Sequence, residues 1–300
     1  MYLAIDVGGT KTLLAVFSED GALQTKHKIE TDRDYSKFQA TLQQIASNEL
    51  KSYQITHCCT AVPGTIDFNS GVALAFGNED WRNIPIQADM QKIFPNAKIL
   101  IHNDAKLAAL SEAKLLDDQY SKVLYLTVST GIGGGVVREG RIDTDFENFE
   151  PGQMVFEEEG RSRIWEDFAS GRALKERYGK LASEIDDPEI WRQYAHALAN
   201  GFENLIATVK PDVIVVGGGV GSHMEKFKFY LDEELSKFNN PLVPTPPIVK
   251  AKRPEEAVIY GCFELIKQSA GVSRDEQPES RIHSAPGAMR NPEGVSHEAE

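Results

Sequence analysis

Short apolar runs separated by glycine and polar breaks open the chain. Tyr2–Val7 and Thr12–Phe17 are strand-like and joined by Gly8-Gly9-Thr10-Lys11, and Gln24–Glu30 follows the turn at Asp20-Gly21. Phe38, Leu42, Ile45 and Leu50 then recur at helical spacing. Ile55–Val62 is a β-rich run that stops at Pro63-Gly64. Pro85–Phe94 has a helical pattern, Lys98–His102 is a strand ending at Asn103-Asp104, and a helix is predicted from about Ala105 to Leu116.

The second half repeats the plan. Lys122–Val128 is a strand, Thr130–Gly135 a glycine turn, and Gly135–Arg138 the start of a returning strand. Ile190, Tyr194, Leu198, Phe202, Ile206 and Val209 mark a long helix. Asp212–Val216 is an apolar strand ending in Gly217-Gly218-Gly219, and Met224, Phe227, Leu231 and Leu235 mark the helix after it, with Ser222 placed to cap it. Ile248–Ala251 and a helix around Ala257–Ile266 complete the pattern. Strands alternating with helices predict an α/β fold. The repeated hairpin with a glycine turn predicts two similar lobes facing one cleft.

Composition bounds this picture. The chain has 300 residues, 41% of them hydrophobic, ample for more than one compact lobe. No apolar run reaches the length of a membrane span, and Met1–Asp6 carries no basic signal region, so a cytoplasmic protein is expected. A net charge of −13 argues against nucleic acid as a partner, while anionic phosphates remain accessible through backbone N–H groups and metal ions. Cys58, Cys59 and Cys262 lack disulfide or metal spacing and read as small core residues. Residues 271–300, rich in Ser, Pro, Gly and Glu, are predicted to be a disordered tail.

Four segments carry candidate chemistry. In Asp6-Val7-Gly8-Gly9-Thr10-Lys11 the glycines admit close backbone approach to an anion, though an ordinary Gly-Gly hairpin explains them equally well. Thr130-Gly131-Ile132-Gly133-Gly134-Gly135 lacks the Walker ending and is followed by strand residues, so it is neither a P-loop nor a dinucleotide fingerprint. A tightly packed turn is the plain alternative there. Gly217-Gly218-Gly219 ends a strand where an adenosine could rest, or simply turns the chain. Asp104, at a strand end, is in isolation a helix cap; it is also placed to act as a general base.

The order of these motifs resembles the ROK family of bacterial glucokinases, N-acetylhexosamine kinases, fructokinases and sugar-responsive repressors, from Met1 to about Ala270. D-x-G-G-T-K matches Asp6–Lys11, the P-G turn Pro63-Gly64, N-x-x-W Asn78–Trp81, and the N-D pair Asn103-Asp104. T-G-I-G-G-G matches Thr130–Gly135, E-D-F-A-S-G-R-A matches Glu166–Ala173, and the adenosine strand matches Asp212–Gly219. The resemblance implies an actin-like, hexokinase-like (RNase H-like) fold of two lobes around a central cleft. Residues 1–118 would form the smaller lobe, completed by the helix 255–270, and residues 119–254 the larger. It implies Asp104 as the base for a sugar hydroxyl, and Gly64, Asn78, Asn103, Glu150, Gln153 and Glu166 around the sugar. Asp6, Gly8, Gly9, Thr10, Lys11, Thr130, Gly131, Gly133, Gly134 and Gly217–Gly219 would hold ATP with Mg2+. A homodimer paired through the larger lobe is likewise implied.

One departure changes the expectation. The family's E-x-G-H reads Glu150-Pro151-Gly152-Gln153, and its zinc motif C-x-C-G-x-x-G-C is replaced by Glu157–Ile164, so all four zinc ligands are absent together. No zinc is expected, with Phe156 and Trp165 anchoring the shortened loop instead. The expected reaction converts ATP and an aldohexose to the sugar 6-phosphate and ADP. Glucose is the first candidate, an N-acetylhexosamine the second, and polyphosphate an alternative donor. A transcription factor is disfavoured because the chain begins on the first phosphate strand, and a non-catalytic sugar sensor because Asp104 and both phosphate turns are intact.

Overall fold

The computed structural model describes residues 1–76, 81–117, 119–158, 160–237 and 240–271. Asn78, Glu159 and residues 272–300 of the expected tail lie outside the described residues, while Gly271, expected to begin that tail, ends the last helix.

The first lobe is built on β1 (Tyr2–Val7), which forms a hairpin with β2 (Lys11–Phe17), itself paired antiparallel with β3 (Leu23–Glu30). After α1 (Tyr35–Asn48), β4 (His57–Val62) adds parallel to β1. A small sheet follows, with β5 (Thr65–Asp67), β6 (Val72–Ala75) and β7 (Arg82–Ile84). Its strands are too short to show a period, and the sequence pattern did not reveal it. Next come α2 (Ile86–Ile93), β8 (Lys98–Asn103) and α3 (Asp104–Lys114).

The second lobe repeats this arrangement with β9 (Lys122–Val128), β10 (Ile132–Arg138) and β11 (Arg141–Ile142). A hairpin of β12 (Val155–Glu158) and β13 (Arg161–Ile164) leads to α4 (Glu166–Ala169), α5 (Gly171–Tyr178) and the long α6 (Pro188–Val209). Then follow β14 (Val213–Gly217), the single-turn α7 (Gly218–Gly221), α8 (Met224–Ser236), β15 (Ile248–Lys250) and α9 (Ala257–Gly271).

The two main sheets have matching orders, β3-β2-β1-β4-β8 and β11-β10-β9-β14-β15, each an antiparallel meander continued by parallel strands. The internal repeat expected from the glycine hairpins is thus present in topology. The central strands are buried on both faces, which explains their continuous apolar runs. One core packs α1 and α2 on the first sheet, another packs α6 and α8 on the second.

Helices α3 and α9 lie between these cores, and glycines set how closely they approach. A Cβ on Gly261 would stand 1.9 Å from the Leu107 carbonyl oxygen, so α9 crosses α3 backbone to backbone. The buried Glu112 of α3 accepts the backbone N–H groups of Lys252 and Arg253, at 2.8 and 2.7 Å, which fixes the chain entering α9. From there α9 packs Ile259, Cys262, Phe263 and Ile266 against Tyr2, Ala4, Phe17 and Cys59 of the first sheet. All three cysteines are buried and free.

Candidate active site

The parallel strand β8 delivers α3 with its N-terminus at the cleft. Asn103 is its cap, accepting the N–H groups of Ala105 and Lys106 at 3.0 and 3.2 Å, and its amide donates to the Gly64 carbonyl at 3.0 Å. This corrects the reading of Asp104 as the capping residue. Asp104 is instead the first helical residue, and its Oδ1 accepts the Ala105 N–H at 2.8 Å. Burial pushes the Asp104 carboxyl up to about 6, opposed by the Ala105 N–H and the Lys106 ammonium and reinforced by Glu150. Asp6, at the end of β1, is pushed up to about 7 by burial and then by the negative charge of Asp104. The two carboxylates, one near the end of β1 and one at the start of α3 with β4 between their strands, therefore sense each other's charge, and a nearby cation or a transferable proton relieves such a pair.

Lys106 is the unexpected member. Its side chain is only 2% exposed, and Nζ donates to the Phe149 carbonyl at 2.7 Å and to Glu150 Oε1 at 3.2 Å. It ties the start of α3 to the 149–150 segment of the second lobe. A cavity of about 210 Å³ opens beside it, walled by Gly64, Thr65 and Phe68 on one side and by Glu147, Asn148 and Glu150 on the other. Asn103 also lines it.

Both glycine turns are present, with different uses for their glycines. Gly8 donates to the Lys11 carbonyl at 3.1 Å, and a Cβ there would stand 2.8 Å from that oxygen, so only glycine closes the turn. Thr31 braces it, donating from Oγ1 to the Gly8 carbonyl at 2.7 Å. In the second motif the turn is confined to Ser129–Gly131, and Gly133, Gly134 and Gly135 lie inside β10 rather than in the turn. A Cβ on Gly133 would meet Ala105 at 3.4 Å, and one on Gly135 would meet Ala109 at 2.9 Å. Gly134 faces Phe149 and Pro151, each 3.1 Å from its missing Cβ. The run is explained by the close seating of α3 and of the 149–151 segment on β10. The tightly packed alternative therefore accounts for these glycines.

Gly217 and Gly218 likewise serve packing. A Cβ on Gly217 would stand 2.4 Å from the Tyr125 hydroxyl, and Gly218 adopts φ +81° with the Val128 carbonyl 2.6 Å from its missing Cβ. Gly219 differs: nothing lies within 4 Å of its Cβ position. It borders a cavity of about 560 Å³ with Thr130, Arg172, Lys175, Leu181 and His223. Ser222 does not cap α8. It closes α7, its hydroxyl donating to the Gly219 carbonyl at 2.8 Å, and His223 stands at the cap position of α8 without a side-chain capping bond.

The ROK family model matches residues 2–269. This chain belongs to the ROK family. It is 28% identical over 260 residues to an N-acetylgalactosamine kinase of Shewanella sp. (strain ANA-3), covering 73% of this chain and 82% of that protein. It is 27% identical over 303 residues to the N-acetyl-D-glucosamine kinase of Escherichia coli O127:H6, covering 88% of this chain and 99% of that protein. The crystal structure of a ROK family glucokinase from Streptomyces griseus, in complex with glucose and AMPPNP, superposes with a TM-score of 0.74 at 20% identity, covering 89% of this chain and 99% of that one. The two-lobed hexokinase-like architecture is therefore that of ROK proteins.

Within this ROK fold the expected sugar residues fall into two groups. Gly64, Asn103 and Glu150 line the smaller cavity together. Gln153 and Glu166 stand against the second turn: Gln153 Nε2 donates to Glu166 Oε1 at 3.1 Å, and Glu166 Oε2 accepts the Ile132 N–H at 3.2 Å. Arg172 approaches Glu166 Oε1 at 3.9 Å. The 155–164 hairpin occupies the place of the family's zinc motif. It leads into Trp165, fully buried, whose indole N–H donates to the Ala197 carbonyl at 3.1 Å and whose ring fills the space above Gly201. Phe156 packs edge-on against Phe168. Among the described residues no group of His, Cys, Asp or Glu is arranged to hold a metal ion.

Several lining residues escaped sequence reasoning. Lys106, Glu147, Lys175 and His223 belong to none of the motifs read from the sequence, and Arg172 entered only as part of the Glu166–Ala173 match. Phe146 and Phe149, flanking Glu147-Asn148, are the sequence feature that could have marked this segment as anchored.

Proposed function

We propose that this chain transfers the γ-phosphoryl group of ATP to the 6-hydroxyl of an aldohexose, glucose first among them, with Asp104 as the base. The observation that carries this reading is the Asp104 carboxyl at the cleft end of α3, pushed up to about 6 by its burial. A base works best when its pKa lies near the working pH, ionised yet still basic enough to take a proton. Family membership and the kinases named among its relatives support an ATP-dependent sugar phosphotransferase.

The smaller cavity would take the sugar. The remaining amide N–H of Asn103 and the carboxylate of Glu150 face its hydroxyls, and Gly64 offers backbone. As the 6-oxygen forms its bond to phosphorus, its proton passes to Asp104 and the bond from phosphorus to the bridging oxygen breaks, releasing ADP. The larger cavity would take the nucleotide, its apolar wall at Leu181 and Val220 suiting a base and its Arg172 and Lys175 suiting phosphate charge. Asp6 would lie near the water shell of Mg2+ carried with the nucleotide, because a hard cation favours oxygen donors and relieves the opposed charge that raises the Asp6 carboxyl. The ion would neutralise charge on the transferring phosphates.

We further propose residues 1–118 with 255–270 as the smaller lobe and 119–254 as the larger, and pairing of two copies through the larger lobe. Phe229 and Leu242, 65% and 83% exposed, offer apolar surface for such pairing, and light scattering reads it directly. Among the described residues no helix is long and apolar enough to cross a membrane, in keeping with a cytoplasmic location.

N-acetylhexosamine is the second substrate reading, supported by the two N-acetylhexosamine kinases above at 27–28% identity. A coupled assay over glucose, fructose, mannose and the N-acetylhexosamines, with ATP and polyphosphate as donors, separates these readings. Absence of sugar phosphate with every pair would refute the kinase reading.

A further inference from the structure

We infer that Glu147 and Lys106 form a hydroxyl-reading pair in the smaller cavity, the carboxylate accepting from and the ammonium donating to one ring hydroxyl of the hexose. This rests on the cavity being the sugar site. It adds two residues, outside the motifs of the family resemblance, to those that decide which hexose is accepted.

The local sequence Phe146-Glu147-Asn148-Phe149 explains the placement. The two phenylalanine rings meet edge to face at 5.8 Å and both pack on the second-lobe core, while the Phe149 N–H donates to the Phe146 carbonyl at 3.1 Å. With its aromatic ends anchored inward, the turn holds Glu147 and Asn148 against the cavity.

Glu147 is left incomplete there. Its Oε1 is buried and, among the described residues, takes no hydrogen bond. His102 Nε2 stands 3.6 Å from it, beyond hydrogen-bond range. That ring is neutral, held down to about 4 by burial and by Lys106, and its Nδ1 accepts the Asn103 N–H, so no imidazolium compensates Glu147. Burial raises the Glu147 carboxyl and the Lys106 ammonium opposes the shift. A buried acceptor without a donor is costly, and native sites rarely keep one unless a ligand or water fills it.

Lys106 is incomplete in a matching way. An ammonium has three donors, and Lys106 directs two bonds to Phe149 and Glu150. A ligand hydroxyl both donates and accepts, so a single hydroxyl can satisfy the free Glu147 oxygen and the third Lys106 donor. An apolar or missing group at that position leaves both unpaired, which makes the pair selective.

The test is a binding cycle on the full chain without nucleotide. Calorimetry measures Kd for glucose and its 2-, 3- and 4-deoxy analogues against the parent, Glu147→Ala and Glu147→Gln. One deoxy analogue should bind the parent about 10- to 100-fold more weakly than glucose. That difference should shrink to within about 2-fold in Glu147→Ala, while the other analogues keep theirs. Glu147→Gln, which keeps the shape, gives the same readout should Glu147→Ala fold poorly, with the difference reduced but not abolished. Undiminished differences in both variants, the sign of a cavity holding only water at Glu147, would overturn the pair. Turnover with ATP is measured on the same parent protein. Hexose binding without phosphate transfer refutes the kinase reading while the cycle still decides the pair; absence of any hexose binding overturns both.

Discussion

Replacing Gly219 with leucine should separate nucleotide binding from everything else the protein does. Nothing lies within 4 Å of the Gly219 Cβ position, and the backbone there is not in the left-handed region, so the fold can accept a side chain. Leucine also gains about 0.8 kcal/mol of helix propensity over glycine, so stability should stay within about 1 kcal/mol of the parent. The side chain would project into the cavity of about 560 Å³ where the nucleotide is proposed to sit. Displacing a ligand from well-fitted contacts costs about 2–3 kcal/mol, a rise of about 30- to 150-fold in KM for ATP. Sugar affinity should not change. Steady-state kinetics with ATP varied, alongside calorimetry with the sugar, reads both arms. The neighbouring Gly218 supplies the contrast: at φ +81° and 2.6 Å from the Val128 carbonyl, alanine there should lower the melting temperature. A Gly219→Leu protein with parental KM for ATP would refute the placement of the nucleotide.

Because Asp104 must be ionised to take a proton, kcat/KM should fall as pH drops below about 6, about tenfold per unit, in a pH-rate profile. Asp6 and Asp104 hold protons in the native state that the unfolded chain releases, so their contribution to stability is complete below about 4 and lost as pH rises through about 6 and 7; Asp6→Asn should therefore raise the melting temperature more at pH 8 than at pH 4 in thermal melts without Mg2+. Gly261→Ala, which would force a methyl group 1.9 Å from the Leu107 carbonyl oxygen, should cost about 1–3 kcal/mol by denaturant unfolding; an unchanged midpoint would mean that α9 does not cross α3 so closely. With Trp165 buried as the anchor behind the 155–164 hairpin, a zinc-selective chelator should leave the melting temperature unchanged with Mg2+ present, and one tightly held zinc per chain by elemental analysis would contradict this.

The main strands and helices were legible because each carries a long apolar period: the α6 positions from Ile190 to Val209 predicted the helix found at Pro188–Val209. The three-stranded sheet after Gly64 was not, since strands such as Thr65–Asp67 hold too few residues to show alternation. At the site, the Asn103-Asp104 pair was found by its motif, but which of the two caps α3 depends on backbone geometry that no composition reveals. Glycine runs are ambiguous in the same way. Gly133, Gly135 and Gly217 are explained by what packs on them, and Gly219 by what does not. Lys106 could not be read at all, because a buried cation is defined by partners more than 40 residues away, at Phe149 and Glu150.

The central claim, that Asp104 deprotonates a sugar hydroxyl for attack on ATP, is tested most directly by Asp104→Asn. Asn103 supplies the cap of α3, so the substitution leaves helix initiation intact and removes only the ability to take a proton. Product formation from the preferred hexose and ATP should fall by about 10²–10⁴-fold in kcat, with the melting temperature and the sugar Kd close to the parent's. A correctly folded Asp104→Asn protein that phosphorylates the sugar at the parental rate would contradict it.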